Sequence, residues 1–377
     1  ILGEKSCHLL SPVGTVYPRN IRTQFGREAV RWFIDGISCI DYLDVYKKFS
    51  VGLRESYKLD AIASRELGER KVEYGNINLA TLADEDWQTF VEYNIQDVNL
   101  LVRMEHKLRY MELLRMLAYT GLTTFESAMG TLPVITGASV IASRKKGKIL
   151  PTFTKNGSDG QYEGAYVGEP QKGFQRDIIS FDANSLYPNT MITLNLSPET
   201  KVGKIIDSNS DEVIVRLETG KVHKFTPDKF YEYVKVEQLA ITRAKVLFSQ
   251  KQKGIIPEIV DKIYKSRVDI KKELKVLKLK LSKMKKSDPD YTDTDTEMTR
   301  LDIKQFTLKI LINTVYGYFG NKYAPIGDAD IARSITLTGQ AVIKQSNIIL
   351  QEYIKDNSSG DYKDKNPPKI MLSGEPY

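Results

Sequence analysis

Apolar residues recur at helical spacing along two stretches of the chain that a polar segment separates. The stripe of the first stretch, which follows Gly254, consists of Ile270, Leu274, Leu277, Leu281 and Met284. The stripe of the second stretch consists of Met298, Leu301, Leu308, Ile312 and Val315. Between them SDPDYTDTDTE, at 287–297, is polar and acidic, and we predict a loop there. The pattern therefore predicts two helices joined as an αα-hairpin.

The rest of the chain shows shorter and more mixed patterns. From 86 to 119, helical spacing continues without Gly or Pro, which predicts one helix that Thr120 and Gly121 end. The stretch from 143 to 168 is rich in Gly and Lys and predicts a boundary. Strand-like runs at 178–181 and 212–217 alternate with turns, which predicts an α+β domain.

Bulk composition argues against several classes of protein. The 377 residues are 41% hydrophobic and 27% charged, which is ordinary for a globular protein of two or three domains. No stretch approaches the roughly 20 apolar residues of a membrane helix, and the first residues do not resemble a signal peptide. Two cysteines and three histidines argue against a disulfide framework or a zinc module and favour a reducing cytoplasm. The missing initial methionine suggests a piece of a longer protein.

Positive charge is concentrated in the first helix of the predicted hairpin. The formal net charge is +7, and residues 262–286 contain eleven basic residues and only two acidic ones. This favours a polyanionic partner such as nucleic acid or a phosphate. Antiparallel packing would direct two sets of side chains at a triphosphate, whereas the alternative is a solvated basic face. The two sets, each on one helix face, are Arg267 with Lys271, and Lys309 with Asn313 and Tyr316.

A single carboxylate, Asp182, ends an apolar run in IISFDANSLYPNT. Asp offers the hard oxygen ligand that Mg²⁺ prefers, usually together with substrate phosphates. The N–H groups of residues 184–186 open a predicted helix with Pro188 in its first turn, and such N–H groups bind phosphate. An Asp that only caps this helix is the alternative interpretation.

These motifs, taken in order, resemble those of the family B DNA polymerases, most closely the T-even-like bacteriophage branch. DANSLYP resembles motif A (D-x-x-S-L-Y-P), and KILINTVYG resembles motif B, with Thr314 in place of the usual Ser. GIIPEIVDKIYKSRVDIKK resembles the first finger helix, YEGAYV the Y-x-G-G/A segment, and YNIQDV the third exonuclease motif, Y-x-x-x-D. LDVYKKF and NLSPET also resemble the phage branch, and the motifs are collinear over nearly the whole chain.

The resemblance implies an α+β multidomain fold with a partial RNase H-like exonuclease domain, a partial palm and helical-hairpin fingers. The implied divisions are the C-terminal part of a 3′–5′ exonuclease domain at 1–109, a connecting segment at 110–153, the first part of the palm at 154–253, the fingers at 254–321 and the second part of the palm at 322–377.

The resemblance also implies a DNA-directed DNA polymerase that uses two Mg²⁺ ions per site, with Mn²⁺ as an alternative ion. Asp182 and the Ala183 carbonyl would bind the ions, and Tyr187 would pack under the sugar and exclude a ribose 2′-hydroxyl. The residues implied to hold the dNTP are Ser185, Leu186, Tyr187, Arg267, Lys271, Lys309 and Asn313. Those implied to contact DNA are Tyr162, Gly164, Tyr316 and Gly317.

For the 3′–5′ exonuclease, the resemblance implies Asp97 as a catalytic metal ligand and Tyr93, one helical turn away, as the residue that orients the attacking water. The sequence lacks the strand-borne D-x-E that this exonuclease needs and the Y-G-D-T-D-S motif C that the polymerase needs. YTDTDT at 291–296 resembles motif C but precedes motif B among polar residues, so we predict a solvated fingertip loop there. We therefore expect the isolated chain to be an inactive fragment.

The implied partners are primer-template DNA, dNTPs, the missing polymerase segments and a sliding clamp bound through a missing C-terminal tail, with no membrane. The implied location is cytoplasmic, in a bacterial host if the protein is phage-encoded. An alternative hypothesis is a non-catalytic nucleic-acid-binding module that uses the basic hairpin, which predicts salt-dependent DNA binding and indifference to dNTPs. A third hypothesis, an exonuclease, rests on Asp97 alone.

Overall fold

The computed structural model divides into two compact units, Ile1–Val134 and Ile135–Tyr377. The described residues are 4–22, 28–50, 52, 54–75, 78–151, 163–168, 173–174 and 181–357. None of the described helices combines the length and the apolar character that a membrane crossing requires.

The first unit consists mainly of helices and contains a small antiparallel hairpin. A 3-10 helix at Glu4–Leu10 precedes the regular elements. These are β1 (Val16–Arg22), β2 (Glu28–Ile34), α1 (Tyr42–Phe49), α2 (Leu59–Leu67), α3 (Leu79–Glu85), α4 (Trp87–Leu108), α5 (Tyr110–Gly121), α6 (Phe125–Ala128) and the start of α7 (Thr131–Lys145). Tyr46 of α1, Ile62 of α2 and Met104 of α4 are buried together, and this core fixes α4 in the unit.

The single helix predicted over 86–119 is wrong in its continuity, because the structure divides it at Arg109. Arg109 adopts φ 55°, in the left-handed region, and separates α4 from α5. The Glu105 carboxylate accepts hydrogen bonds from the N–H of Met111 at 3.1 Å and from the hydroxyl of Tyr42 at 3.0 Å, which stabilises the break. No Gly or Pro marks this position, so helical spacing could not locate it.

The second unit combines a five-stranded antiparallel sheet with long helices. Its elements after α7 are α8 (Leu186–Thr193), β3 (Lys201–Ser208), β4 (Val213–Leu217), β5 (Val222–Phe225), α9 (Pro227–Val236), β6 (Leu239–Ile241), β7 (Val246–Ser249), α10 (Ile255–Leu281), α11 (Tyr291–Phe319) and α12 (Ala329–Asn357). The strand order is β5-β4-β3-β7-β6. This confirms the predicted α+β class.

Among the described residues, the sheet contains one of the two predicted strands. β4 confirms the strand predicted at 212–217. Of the other run, residues 178–180 lie outside the described residues, and Phe181 is not in a strand. Val213 and Val215 of β4 are buried with Leu247 of β7, and apolar residues of α9 pack against them. This core holds the sheet from which the site elements extend.

Helices α10 and α11 form the predicted αα-hairpin. Ile270 and Leu274 of α10 are buried against Leu301 of α11, as their apolar spacing predicts. Leu277 and Met298 extend the same contact on the two helices. The hairpin therefore rests on a continuous apolar seam, which leaves the opposite faces for charged residues.

The loop predicted at 287–297 is wrong over its second half, because α11 begins at Tyr291 rather than at Met298. Asp293 lies in the first turn, where an acidic side chain interacts favourably with the positive end of the helix dipole. Thr294, the next residue, is buried. The YTDTDT segment is therefore the first part of a helix and not a fingertip loop.

An ion cluster fixes the start of α12 to the sheet. Lys201 of β3 lies 3.0 Å from Asp328 and 3.1 Å from Asp330, and Lys204 lies 2.7 Å from Asp330. Burial alone would lower the pKa of Lys201, but the two carboxylates outweigh it and raise this pKa to about 12. Burial would raise the pKa of Asp330, but Lys204 and Lys201 outweigh it and lower this pKa. Asp328 also caps α12 by accepting hydrogen bonds from the N–H groups of Asp330 and Ile331.

The NLSPET segment, residues 195–200, holds the start of α10. Asn195 Oδ1 accepts a hydrogen bond from the Gly254 N–H at 2.8 Å, and its Nδ2 donates to the carbonyls of Ser249, at the end of β7, and of Gln252. Glu199 Oε1 accepts a hydrogen bond from the Ile255 N–H at 2.5 Å. Gly254 has no side chain with which to cap the helix, so these side chains satisfy the first N–H groups of α10.

Candidate functional site

The DANSLYP segment turns sharply into α8. Ser185 adopts φ 53° and ψ 44°, in the left-handed region, and α8 begins at Leu186 as predicted, with Pro188 buried in its first turn. This conformation costs a residue with a side chain roughly 1–2 kcal/mol, so the surrounding packing must hold it. Ser185, and not Asp182, occupies the N-cap position. The alternative interpretation of Asp182 as the cap of this helix is therefore wrong.

Asp182 and Ala183 are exposed just ahead of this turn. The Asp182 side chain is therefore not buried against other residues. The first N–H groups of α8 have no partner inside the helix, and the positive end of its dipole lies at the same place. An exposed hard oxygen donor and a helix N-terminus are therefore brought close together in the chain, which suits a cation with a phosphate.

The Tyr187 side chain connects the start of α8 to α11. Its ring centroid lies 5.0 Å from that of Tyr316, with the ring planes at 49°. Tyr316 shares one face of α11 with Lys309, which is half-buried, and with Asn313, which is exposed. The ring contact therefore directs this face of α11 toward the start of α8.

Arg267 of α10 carries a buried polar atom, its Nε, that has no hydrogen-bond partner among the residues that the structure describes. A buried N–H without a partner costs about 1–3 kcal/mol, and more for a charged group. Lys271 follows one turn later and is exposed. Because α10 and α11 both pack against α8, the helices with the predicted cations border the start of α8.

The residues predicted to contact DNA are placed in part. Tyr162 lies outside the described residues. Gly164 is exposed, and its carbonyl accepts a hydrogen bond from Gln340 Nε2 of α12 at 2.8 Å. The neighbouring Glu163 carbonyl accepts one from the Thr336 hydroxyl at 2.8 Å. Gly317 is exposed, with open space where a Cβ would lie.

Thr336 and Gln340 are contacts that motif reasoning did not find. They lie 173 and 176 residues along the chain from Glu163 and Gly164, and no local pattern links the two segments. Their spacing of four residues places both on one face of α12. The position of Thr336 and Gln340 on one helix face could have indicated a shared partner, but the sequence does not identify that partner as the segment 163–164.

A second group of candidate residues lies in the first unit, on α4. Tyr93 and Asp97 lie one turn apart, as predicted, and Lys71 joins them. Lys71 Nζ lies 2.7 Å from Asp97 Oδ2 and donates a hydrogen bond to the Tyr93 hydroxyl at 2.5 Å. Burial alone would lower the pKa of Lys71, but the hydrogen bonds to Asp97 and Tyr93 outweigh it and raise this pKa. Asp97 Oδ1 is buried without a hydrogen-bond partner in the described part of the chain.

The described residues fit a metal ion only in part. No group of three or more His, Cys, Asp or Glu side chains among them is placed to hold one. Asp182 fits as a single Mg²⁺ ligand, because it is an exposed carboxylate. Asp97 does not fit in its present contacts, because the Lys71 ammonium group already occupies the cation position at its Oδ2.

Comparisons with known proteins show the family to which this chain is similar. A sequence profile described as DNA polymerase family B matches residues 138–371. The chain is 28% identical over 399 residues to the DNA-directed DNA polymerase of Enterobacteria phage T4, and 27% identical over 384 residues to that of Escherichia phage RB69. Each of these comparisons covers 94% of this chain and 42% of the relative.

Proteins from eukaryotes and archaea show the same likeness. The chain is 29% identical to the DNA polymerase delta catalytic subunit of Drosophila melanogaster, over 80% of this chain and 26% of that protein. Its fold is similar to that of the family B DNA polymerase from the hyperthermophilic archaeon Pyrobaculum calidifontis, with a TM-score of 0.58 and 20% identity over 92% of this chain and 39% of that chain. The chain therefore spans less than half the length of each of these proteins.

Proposed function

Because the chain belongs to DNA polymerase family B, we propose that it forms part of a DNA-directed DNA polymerase that adds dNTPs to primer-template DNA. The relatives from phages T4 and RB69, which carry that name, support the activity. They also support a site of action in the cytoplasm of a bacterial host.

The observation that carries this proposal is the contact between Tyr187 and Tyr316. This contact joins the segment that begins at Asp182, which would bind metal and phosphate, with α11, which would hold the nucleotide. In this proposal Asp182 and the Ala183 carbonyl are metal ligands, and the amides of Ser185 and Leu186 receive the triphosphate. Tyr187 packs under the deoxyribose, where its ring leaves no room for a 2′-hydroxyl.

Bound Mg²⁺ ions, two per site, would neutralise phosphate charge and activate the primer hydroxyl. The protein's own side chains do the positioning. Arg267 offers a planar fork that binds phosphate oxygens in pairs, and Lys271 and Lys309 add point charges. The side-chain amide of Asn313 would contact the same triphosphate.

Other residues of the proposal lie against nucleic acid. Tyr316 and Gly317 would border the nascent base pair, where the exposed glycine leaves space for a base. Gly164, together with Tyr162, would follow the template backbone. The hydrogen bond from Gln340 supports a fixed position for the Gly164 segment on α12.

We also propose that the first unit contributes to a 3′–5′ proofreading exonuclease. Asp97 would be one of its acidic groups, and Tyr93 would orient the attacking water through its hydroxyl. The support for this role is the position of Tyr93 and Asp97 one turn apart on α4. Lys71, which now contacts both polar groups, would have to leave the Asp97 carboxylate before a metal ion could bind there. Such a site also requires three further carboxylates, which two earlier exonuclease motifs would supply.

Titration of the chain with dATP in the presence of Mg²⁺ tests the polymerase proposal. We expect Arg267→Ala and Lys309→Ala each to weaken dATP binding by about tenfold or more, because a charge-assisted phosphate contact is lost. Lys272→Ala is the matched control, since Lys272 is an exposed cation of the same helix that pairs with Asp269. Equal dATP binding by all these proteins would contradict the proposal.

The same experiment separates the proposal from a nucleic-acid-binding module built on the basic hairpin. Such a module would bind DNA with a steep dependence on salt and would not respond to dATP. Its binding would also fall to a similar extent with Lys272→Ala as with Arg267→Ala, because both cations would contact phosphates nonspecifically.

A further inference from the structure

Gly339 is a buried residue in the interior of α12. Its φ lies outside the left-handed region, so the backbone does not require glycine there. Glycine is, after proline, the least favourable residue for a helix interior. The residues around Gly339 should therefore explain why glycine occupies this position.

The surroundings of Gly339 are the first two side chains of α8. A Cβ added to Gly339 would lie 2.9 Å from Tyr187 Cε1, 3.4 Å from Tyr187 Cδ1 and 3.5 Å from Leu186 Cδ2. Carbon atoms in favourable contact are about 3.5–4.0 Å apart, so the first of these distances is too short. The missing side chain of Gly339 thus provides the space that one edge of the Tyr187 ring occupies.

Helix α12 is fixed on both sides of Gly339, so the tyrosine ring is the part that would yield. Thr336 and Gln340 hold the carbonyls of residues 163–164. Ser334, five residues before Gly339, shares a hydrogen bond with the Thr242 hydroxyl at 2.9 Å. The Tyr187 ring, by contrast, ends a flexible side chain. A methyl group at 339 would therefore push the ring away from α12.

We propose that Gly339 is a specificity-determining residue for the polymerase reaction: it forms the recess that sets how far the Tyr187 ring stands from the nucleotide sugar. This inference rests on the proposed function, in which Tyr187 packs under the deoxyribose. Gly339 itself touches no nucleotide, and its effect is transmitted through the ring.

A double-mutant cycle on the full 377-residue chain tests this inference. Binding of dATP and of ATP with Mg²⁺ is measured for wild type, Gly339→Ala, Tyr187→Ala and the double variant. We expect Gly339→Ala to weaken dATP binding about three- to tenfold when Tyr187 is present and less than about twofold when it is absent, because residues in contact are coupled. Ser346→Ala, an exposed small-residue change on the same helix, is the control and should have no effect.

The cycle distinguishes failure of the inference from failure of the proposed function. Equal losses from Gly339→Ala in both backgrounds would overturn the inference while the proposed function stands. If Tyr187→Ala does not improve ATP binding relative to dATP, or if wild type binds neither, the proposed sugar filter is wrong and the inference falls with it.

The recess itself is tested without nucleotide. The chain is labelled with 3-fluorotyrosine at position 187, where the neighbouring Tyr316 ring influences the ¹⁹F chemical shift. We expect Gly339→Ala to move this resonance and Ser346→Ala to leave it in place. A resonance that Gly339→Ala does not move would show that the ring does not depend on the space at Gly339 and would overturn the inference.

Discussion

The ammonium group of Lys71 bridges the carboxylate of Asp97 and the hydroxyl of Tyr93. Its nitrogen also lies 4.6 Å from the centroid of the Tyr93 ring, which adds a cation–π contact. Asp97 is partly buried, so removal of its partner Lys71 would cost more than removal of the partner of an exposed carboxylate. This one residue therefore determines whether the two exonuclease candidates keep their relative positions.

We expect Lys71→Met to lower the free energy of unfolding of the first unit by about 1–3 kcal/mol, because it leaves the Asp97 carboxylate without its cation. Trp32 and Trp87, the two tryptophans of the chain, both lie in this unit, so urea denaturation followed by their fluorescence reports on it. In an Asp97→Asn background the same change should cost much less. An equal cost in both backgrounds would contradict the role of Lys71.

At the residue scale, the sequence predicted side chains that act along one helix and missed those that act across the fold. Tyr93 and Asp97 were predicted from the resemblance of YNIQDV to a motif whose two residues lie four apart, on one helix face. Lys71 lies 22 residues from Tyr93 on an irregular segment, and nothing in its local pattern indicates the contact. Gly339 was missed for a related reason, since the space it leaves is visible only against Tyr187.

At the element scale, α10 depends on a loop that is distant in sequence. Asn195 is buried and accepts the hydrogen bond of the Gly254 N–H, which is buried too. The NLSPET segment was recognised from resemblance alone, and spacing gave no physical role for it. The structure supplies that role, which is to cap a helix whose own first residues cannot do so.

We expect Asn195→Ala to lower the free energy of unfolding of the second unit by about 2–4 kcal/mol, because three hydrogen bonds are lost and the Gly254 N–H stays buried. Urea denaturation followed by far-ultraviolet circular dichroism measures the change. Asn209→Ala, which removes hydrogen bonds to two exposed N–H groups that water can satisfy, is the control and should cost less than about 1 kcal/mol. Similar costs for both variants would contradict the capping role.

The ion cluster at the start of α12 should make the second unit sensitive to acid. The pKa of Asp330 is lowered in the folded state, so its stabilising effect is complete above the unfolded-state pKa of about 3.9 and is lost as the pH falls through the folded-state value. The pKa of Lys201 is raised to about 12, so its contribution is lost only in strong alkali.

We therefore expect Asp330→Asn to lower the free energy of unfolding by about 1–2 kcal/mol at pH 7, with the difference from wild type shrinking steadily below about pH 4. Urea denaturation at several pH values between 3 and about 7 measures this difference. Glu212→Gln, which removes an exposed pair with Lys224, should cost less than about 1 kcal/mol throughout. A difference for Asp330→Asn that persists undiminished in acid would contradict the ion-pair explanation.

The pairing of helices was predicted where apolar stripes repeat, whereas boundaries were missed: α10 ends at Leu281, before Met284 of its predicted stripe. The seam between α10 and α11 follows from residues such as Ile270 and Leu301. The break at Arg109 requires a left-handed residue that the Glu105 carboxylate stabilises, and no stop signal accompanies it. The early start of α11 at Tyr291 lies in an acidic segment whose composition is typical of loops.

At the scale of the whole molecule, the order of motifs identified the family before any contact was known. The ring contact of Tyr187 and Tyr316 then joins two motifs that lie 129 residues apart in the chain. Distances of this kind come from the packing of α8 against α10 and α11. Motif order could imply such a site but could not provide the apolar contacts that assemble it.

We expect the isolated 377-residue chain to show no primer extension above background with Mg²⁺ and dNTPs. The described residues hold no cluster of three acidic or other metal-binding side chains, and poorly held metal ions cost orders of magnitude in rate. A labelled primer on a complementary template measures the extension. Extension that Asp182→Ala abolishes would contradict this prediction.

The hydrogen bonds that Asn195 and Glu199 make at the start of α10 have a mechanical consequence. With 27 residues, α10 is about 40 Å long, and Arg267 lies about 18 Å from this start. A tilt of about 10° at the base would carry the far end through about 7 Å and Arg267 through about 3 Å, by simple leverage on a rigid rod. Asn195 and Glu199 therefore hold α10 at the place where a small change in its angle would produce a much larger displacement of the Arg267 guanidinium group.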